Sequence, residues 1–131
     1  VSIQKNNGKI GKNGEILAAE WLKMQGYEII ALNWRTRDGE IDIIAFDRAA
    51  FLVVFIEVKT LPNTPLEDLD IIINKKKQMK ISKTAKHFIE NNRQYNGMYM
   101  RFDVIVLKSN PFLAQQPEIL HLKDAFGDCY E

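Results

Sequence analysis

Two apolar segments, Glu40 to Phe46 and Phe51 to Thr60, flank a short break and together read as a β-hairpin, which decides which polar side chains of this sequence can meet. Side chains alternate across a strand with a period of two. Glu57 and Lys59 therefore leave one face roughly 6 to 7 Å apart while Val58 points the other way. Whether Asp42 joins them depends on register. A four-residue loop from Asp47 to Ala50 pairs Phe46 with Phe51 and places Asp42 opposite Phe55, diagonal to Glu57. A two-residue loop, Ala49-Ala50, places Asp42 directly opposite Glu57, although alanines are poor occupants of the positive-φ positions such a turn demands. Both registers bring the carboxylates together. A slip by one residue separates them, but it also turns the apolar face of the hairpin to water.

Gly39-Glu40-Ile41-Asp42 followed by Glu57-Val58-Lys59 is a constellation that points to a metal-dependent nuclease site. Phosphodiester hydrolysis needs a nucleophilic water, neutralisation of charge on the transition-state phosphate and help for the leaving oxygen. A divalent ion serves all three. Carboxylates and a backbone carbonyl are hard oxygen ligands that suit Mg²⁺ or Mn²⁺ better than zinc. Asp42 and Glu57 are the expected ligands, with the Val58 carbonyl as a third. Lys59 is expected to orient the attacking water or to stabilise the charged phosphorane, two roles the sequence leaves open. The plain alternative is an exposed Glu57–Lys59 ion pair at a strand end, worth at most ~1 kcal/mol. Glu40, at the entry of its strand, reads as a solvated neighbour of the turn.

The chain has 131 residues, a formal charge of +1 and 46% hydrophobic residues, enough for one domain spanning 1–131 with a core of its own. The longest apolar run, Ala49 to Ile56, is far short of a bilayer span, and the lysine-bearing start (1–12) is expected to be a flexible arm rather than a signal peptide. No membrane partner and a cytoplasmic location follow as expectations, in keeping with the single Cys129.

Asn13 to Gln25 carries Ile16, Leu17, Trp21 and Met24 at helical spacing and stops at Gly26. An extended segment from Tyr27 to Asn33, the turn Arg37-Asp38-Gly39 and the hairpin follow. After a proline-broken loop from Leu61 to Asp70, a second helix is expected from Ile72 to Asn91, then a strand from Met100 to Lys108, a short edge strand from Glu118 to Leu122 and a final helical turn opening at Asp124. The order α-β-β-β-α-β predicts an α/β fold, a central mixed β-sheet flanked by helices.

This order, together with Gly14-Glu15, Gly-Glu-Ile-Asp, Glu-Val-Lys, the lysine-rich second helix and Arg101-Phe102-Asp103, resembles the YraN-like family of uncharacterised predicted endonucleases. That family is placed in the PD-(D/E)XK superfamily and is similar in layout to archaeal Holliday junction resolvases. The resemblance spans roughly Gly11 to Phe126. It implies a restriction-endonuclease-like core and a Mg²⁺-dependent DNA endonuclease, structure-selective in repair or recombination. It further implies that the first helix leans over the sheet and offers Glu15 to the ion through water, although an early helical carboxylate also simply favours the helix dipole.

On the second helix, Lys76, Lys80, Lys83 and His87 form one basic stripe, whereas Lys77, Ile81, Ala85 and Phe88 follow the stripe that should face the sheet. Lys77 is thus the expected phosphate contact near the ion, and Lys76, Lys80, Lys83 and Arg35 the expected outer nucleic-acid contacts. Asp103 reads as structural, paired with a basic neighbour. His87 and His121 stand alone and are read neither as zinc ligands nor as a base. A non-catalytic nucleic-acid binding module of the same fold is the competing reading, but such a descendant is expected to have lost Asp42, Glu57 or Lys59. A small domain that cuts two strands is expected to act as a homodimer.

Overall fold

The computed structural model describes residues 14–61, 73–108 and 118–128. Helix α1 covers 14–24. Strands β1 (Tyr27–Thr36), β2 (Gly39–Asp47) and β3 (Leu52–Leu61) follow, then helix α2 (Lys75–Asn91), a single 3-10 turn (Arg93–Tyr95), and strands β4 (Tyr99–Lys108) and β5 (Glu118–Phe126). The five strands lie in sequence order in one mixed sheet. Every pair is antiparallel except β3 and β4, which run parallel because α2 carries the chain back along one face between them. This is the α-β-β-β-α-β order expected from the sequence, with the expected edge strand present as β5 and longer than Glu118 to Leu122, and it is consistent with a restriction-endonuclease-like core. The expected arm over 1–12, the loop after Leu61 and Cys129 lie outside the described residues.

The alternation along β4 sorts the core into two layers. Phe102, Val104 and Val106 pack with Ile81, Ala85 and Phe88 of α2, whereas Ile105 and Leu107 pack with Ala18, Ala19 and Leu22 of α1. The helices therefore cover opposite faces. Helix α2 begins at Lys75 rather than Ile72 because the Asn74 side chain accepts a hydrogen bond from Lys77 N at 2.9 Å, an N-cap that fixes the first turn. The first turn stands over the site end of the sheet.

The hairpin takes neither of the two loops anticipated for it. Asp47 pairs with Leu52 and Ile43 with Ile56, which is the register of the alternative two-residue loop, yet the connection is four residues, Arg48 to Phe51. Asp47 Oδ1 accepts from Ala50 N at 3.1 Å and Asp47 O accepts from Phe51 N at 2.8 Å, so the turn closes without alanines at positive φ. Phe51 takes the left-handed conformation instead, at φ 56°, and its ring meets Phe46 edge-on at 5.5 Å.

The expected helical turn at Asp124 is also absent: β5 continues to Phe126 through an irregularity opposite Asp103, with Asp124 at φ 53°. The cause is a buried polar cluster. Asp103, fully buried, accepts from Arg101 at 2.8 and 2.9 Å and from Asp124 N at 3.0 Å, and it meets His121 Nε2 at 2.7 Å. Arg101 reaches on to Asp47 at 3.1 Å and to the Tyr27 hydroxyl at 2.8 Å, tying β1, β2, β4 and β5 together. Burial alone raises a carboxyl, but the hydrogen bonds from His121, Arg101 and Asp124 outweigh it and hold Asp103 below its ordinary range. Asp103 is structural, as the sequence suggested. His121 does not stand alone.

Candidate active site

The β2–β3 ladder ends at Ile43 and Ile56, and the next residue on each strand is a carboxylate, Asp42 on β2 and Glu57 on β3, whose side chains interact. There the backbone of β3 turns from its neighbour's backbone to its neighbour's side chain: Val58 N donates to Asp42 Oδ2 at 2.8 Å. Because the N–H and C=O of one strand residue face the same neighbour, the Val58 carbonyl looks into the same gap. Glu57 is only 5% exposed and Asp42 is half-buried, and their carboxyls are close enough to hydrogen-bond each other. Two ammonium groups balance Glu57. Lys77 Nζ, from the first turn of α2, lies 3.0 Å from Glu57 Oε1, and Lys59 Nζ, from the same strand face, lies 3.6 Å from that oxygen. Asp42, Glu57 and Lys77 open on a cavity of about 220 Å³ that Gly39, Glu40, Lys80 and Ile81 also line.

Burial pushes the Asp42 carboxyl up from its ordinary 3.8 to about 8; the Glu57 and Glu15 carboxylates add to this, and the Val58 hydrogen bond opposes it. Burial pulls the Lys77 ammonium down, but the nearby Glu57, Asp42 and Glu40 carboxylates prevail and raise it. Glu15 is thus brought within electrostatic reach of Asp42. The approach depends on Gly14, where a Cβ would meet Leu107 Cδ1 and Thr60 Oγ1 at 3.1 Å each. The start of α1 is thereby seated against the ends of β3 and β4.

Among the described residues no group of three or more His, Cys, Asp or Glu side chains converges as a metal-holding set. The smaller set at hand nevertheless fits a hard divalent ion. Asp42 and Glu57 are too close to ionise together without a cation, the Val58 carbonyl supplies a neutral oxygen, and the open cavity leaves room for water and phosphate. Asp42→Asn separates this arrangement from an ordinary structural ion pair. The folded chain keeps a proton on Asp42 up to about pH 8 that the unfolded chain releases near 3.8, so ionising Asp42 removes stability as pH rises through that window. Asparagine retains an acceptor for Val58 N without the charge. Denaturant unfolding at neutral pH without divalent ions is expected to find the variant about 1 to 2 kcal/mol more stable than wild type, and a Mg²⁺ titration to find its stabilisation by the ion weakened. A loss of about 2 kcal/mol instead would make Asp42 a fold-holding group.

The other expected contacts divide. Lys80 lines the cavity, whereas Lys76 is exposed on α2 outside it. Lys83 is engaged with Asp38 at 3.3 Å, and Arg35 with Glu40 at 3.2 Å, directly across the β1–β2 pair. Neither reaches the carboxylate pair. His87 does not stand alone either: its Nε2 lies 2.7 Å from Asp38 Oδ2. Sequence reading missed what Asp38 does. Taken only as a turn residue, it ties the β1–β2 turn to α2 through Lys83 and His87. Its neighbour Gly39 packs so closely on the helix that a Cβ would come 2.9 Å from Thr84 Oγ1. This contact sets the distance between β2, which carries Asp42, and α2, which carries Lys77. The partners of Asp38, Lys83 and His87, lie 45 and 49 residues later, a separation that leaves no local sequence signal.

Residues 14–107 match the model of Uncharacterised protein family UPF0102. The chain is similar to a UPF0102 protein of Treponema denticola, at 65% identity over 127 residues, covering 93% of this chain and 98% of the relative. A UPF0102 protein of Treponema pallidum (strain Nichols) is 52% identical over 126 residues, covering 96% and 98% of the two chains. One from Clostridium botulinum (strain 657 / Type Ba4) is 42% identical over 120 residues, covering 92% and 95%.

Proposed function

The chain belongs to the uncharacterised protein family UPF0102, and we propose that it is a divalent-metal-dependent nuclease of the PD-(D/E)XK kind that hydrolyses phosphodiester bonds of DNA. The observation that carries this reading is the pairing of Asp42 with Glu57 at the point where β2 and β3 part, with Lys59 and Lys77 both on Glu57. A buried ion pair that only held the fold would gain nothing from a second carboxylate against it. The resemblance to the PD-(D/E)XK superfamily supplies the reaction class: Asp42, Glu57 and Lys59 stand at the acidic and lysine positions of that pattern, with Ile41 in place of its proline.

Asp42, Glu57 and the Val58 carbonyl would hold Mg²⁺ or Mn²⁺, which when bound supplies a Lewis acid and lowers the pKa of attacking water. Lys59, fixed beside Glu57, orients that water or faces the charge that grows on the phosphate. Glu15 adds negative charge that favours a cation at the site. Lys77 and Lys80, on the cavity wall formed by α2, face an incoming phosphate backbone from one side. A DNA duplex presents two strands, so a cut through both calls for two copies of the chain.

Lys77 and Lys80 are expected to separate in function. Lys77→Ala should lower single-turnover cleavage roughly a hundredfold and leave DNA affinity measured without divalent ions nearly unchanged, because its ammonium then rests on Glu57 and meets phosphate only once the ion is bound. Lys80→Ala should weaken binding to all sequences alike and reduce the salt slope by about one unit. Salt titrations beside single-turnover assays measure both. The reading as a whole is tested by incubating the protein with branched, single-stranded and duplex DNA, and with RNA, with and without Mg²⁺ or Mn²⁺. Divalent-dependent cleavage of a DNA substrate supports it. Binding without cleavage of any substrate in either metal leaves the non-catalytic module.

A further inference from the structure

We propose that Lys77 is a removable counter-ion: its ammonium occupies the side of Glu57 that a divalent ion needs, and nucleic-acid phosphate draws it off, so that metal and substrate each tighten the binding of the other. This rests on the metal-site reading above and adds its regulation.

Glu57 is buried and meets two ammonium groups through one oxygen, Oε1. The two lysines are not equivalent. Lys59 sits on the same strand two residues away, 3.6 Å from Oε1, with its side chain 31% exposed. Lys77 comes closer, 3.0 Å, from a separate element and is 45% exposed. Its backbone is fixed by the Asn74 cap, so only the four-carbon stem has to move for the head to leave Glu57. The cavity it would move through is also lined by Lys80.

A divalent ion on the Glu57 carboxylate would share that small group with the Lys77 ammonium. Two positive centres only a few ångströms apart repel strongly even where the effective dielectric constant is about 20. The ion must therefore displace Lys77 or bind weakly. A phosphate entering the cavity offers the ammonium another partner. Whatever removes Lys77 from Glu57 strengthens the ion's hold, and by linkage the ion strengthens binding of whatever receives Lys77. Free protein thus binds the ion poorly and acquires it with substrate.

The test measures Mn²⁺ binding, by the electron paramagnetic resonance signal of the free ion, rather than cleavage. It compares wild type, Lys77→Met, Lys77→Arg and Lys80→Met, with and without a hydrolysis-resistant phosphorothioate duplex. Without the duplex, Lys77→Met is expected to bind Mn²⁺ about tenfold tighter than wild type, while Lys77→Arg and Lys80→Met stay within about threefold of it. The duplex should tighten Mn²⁺ binding about tenfold more in wild type than in Lys77→Met. Equal or weaker Mn²⁺ binding by Lys77→Met in the absence of duplex overturns the counter-ion role and leaves the metal site standing. If no form binds Mn²⁺ with or without duplex, the metal site itself falls, and this inference with it.

Discussion

Glu57→Gln should lower divalent-dependent cleavage on the order of a thousandfold or more, with the sheet still folded. The change keeps the shape of the side chain and removes the charge that Lys59, Lys77 and the proposed ion all share. Two effects on the fold oppose each other. The lysines lose a partner, and Asp42 loses the carboxylate that helps keep it protonated. Lys77 remains within reach of Asp42 and Glu40, so a folded variant with a near-normal melting curve is expected. A variant that cleaves at a tenth of the wild-type rate or better would remove Glu57 from the reaction.

Asp103→Asn should show the reverse pattern, a large loss of stability with cleavage per folded molecule intact. Asp103 lies on the α1 face of the sheet, between Arg101 and His121, whereas Glu57 lies on the α2 face. Breaking this pair at its fully buried carboxylate, with the Arg101 guanidinium left charged beside it, costs about 3 to 5 kcal/mol. Linkage gives a second readout. Asp103 is held below its ordinary 3.8, so its contribution is complete above that value and disappears as pH falls through it and below. Urea unfolding at about pH 7 and about pH 3 should show the gap between wild type and variant closing in acid. A gap that is equal at both pH values would mean that the folded chain does not hold Asp103 below its ordinary value.

Much of this was legible in residue types and spacing. Alternation in β2 and β3 required Asp42 and Glu57 to share a face under either register, and the helical stripe of Lys77, Ile81, Ala85 and Phe88 placed one lysine inward. Both are periodicities, which local sequence carries. The hairpin loop was misjudged because its closure depends on a side chain: Asp47 caps Ala50 N, a contact that residue propensities do not weigh against turn length. The end of β5 was misread for a similar reason. Asp124 belongs to no helix because its backbone N–H is committed to Asp103, 21 residues earlier. Lys83 and Arg35 looked like free cations until the fold brought Asp38 and Glu40 beside them. The Arg35–Glu40 pair is a cross-strand neighbour in the β1–β2 hairpin, whereas a long-range pair such as Lys83 with Asp38 leaves no period to read. The Asp38–His87 contact, which spans 49 residues, is the clearest instance.

The proposed centre is tested most directly by anomalous diffraction from crystals of the protein with a hydrolysis-resistant phosphorothioate duplex, grown with Mn²⁺. One anomalous peak should lie roughly 2.1 to 2.3 Å from an oxygen of each of Asp42 and Glu57, with Lys77 Nζ moved away from Glu57 Oε1. The absence of a peak between those two carboxylates at millimolar Mn²⁺, or a Mn²⁺ ion held elsewhere while Lys77 stays on Glu57, would contradict it.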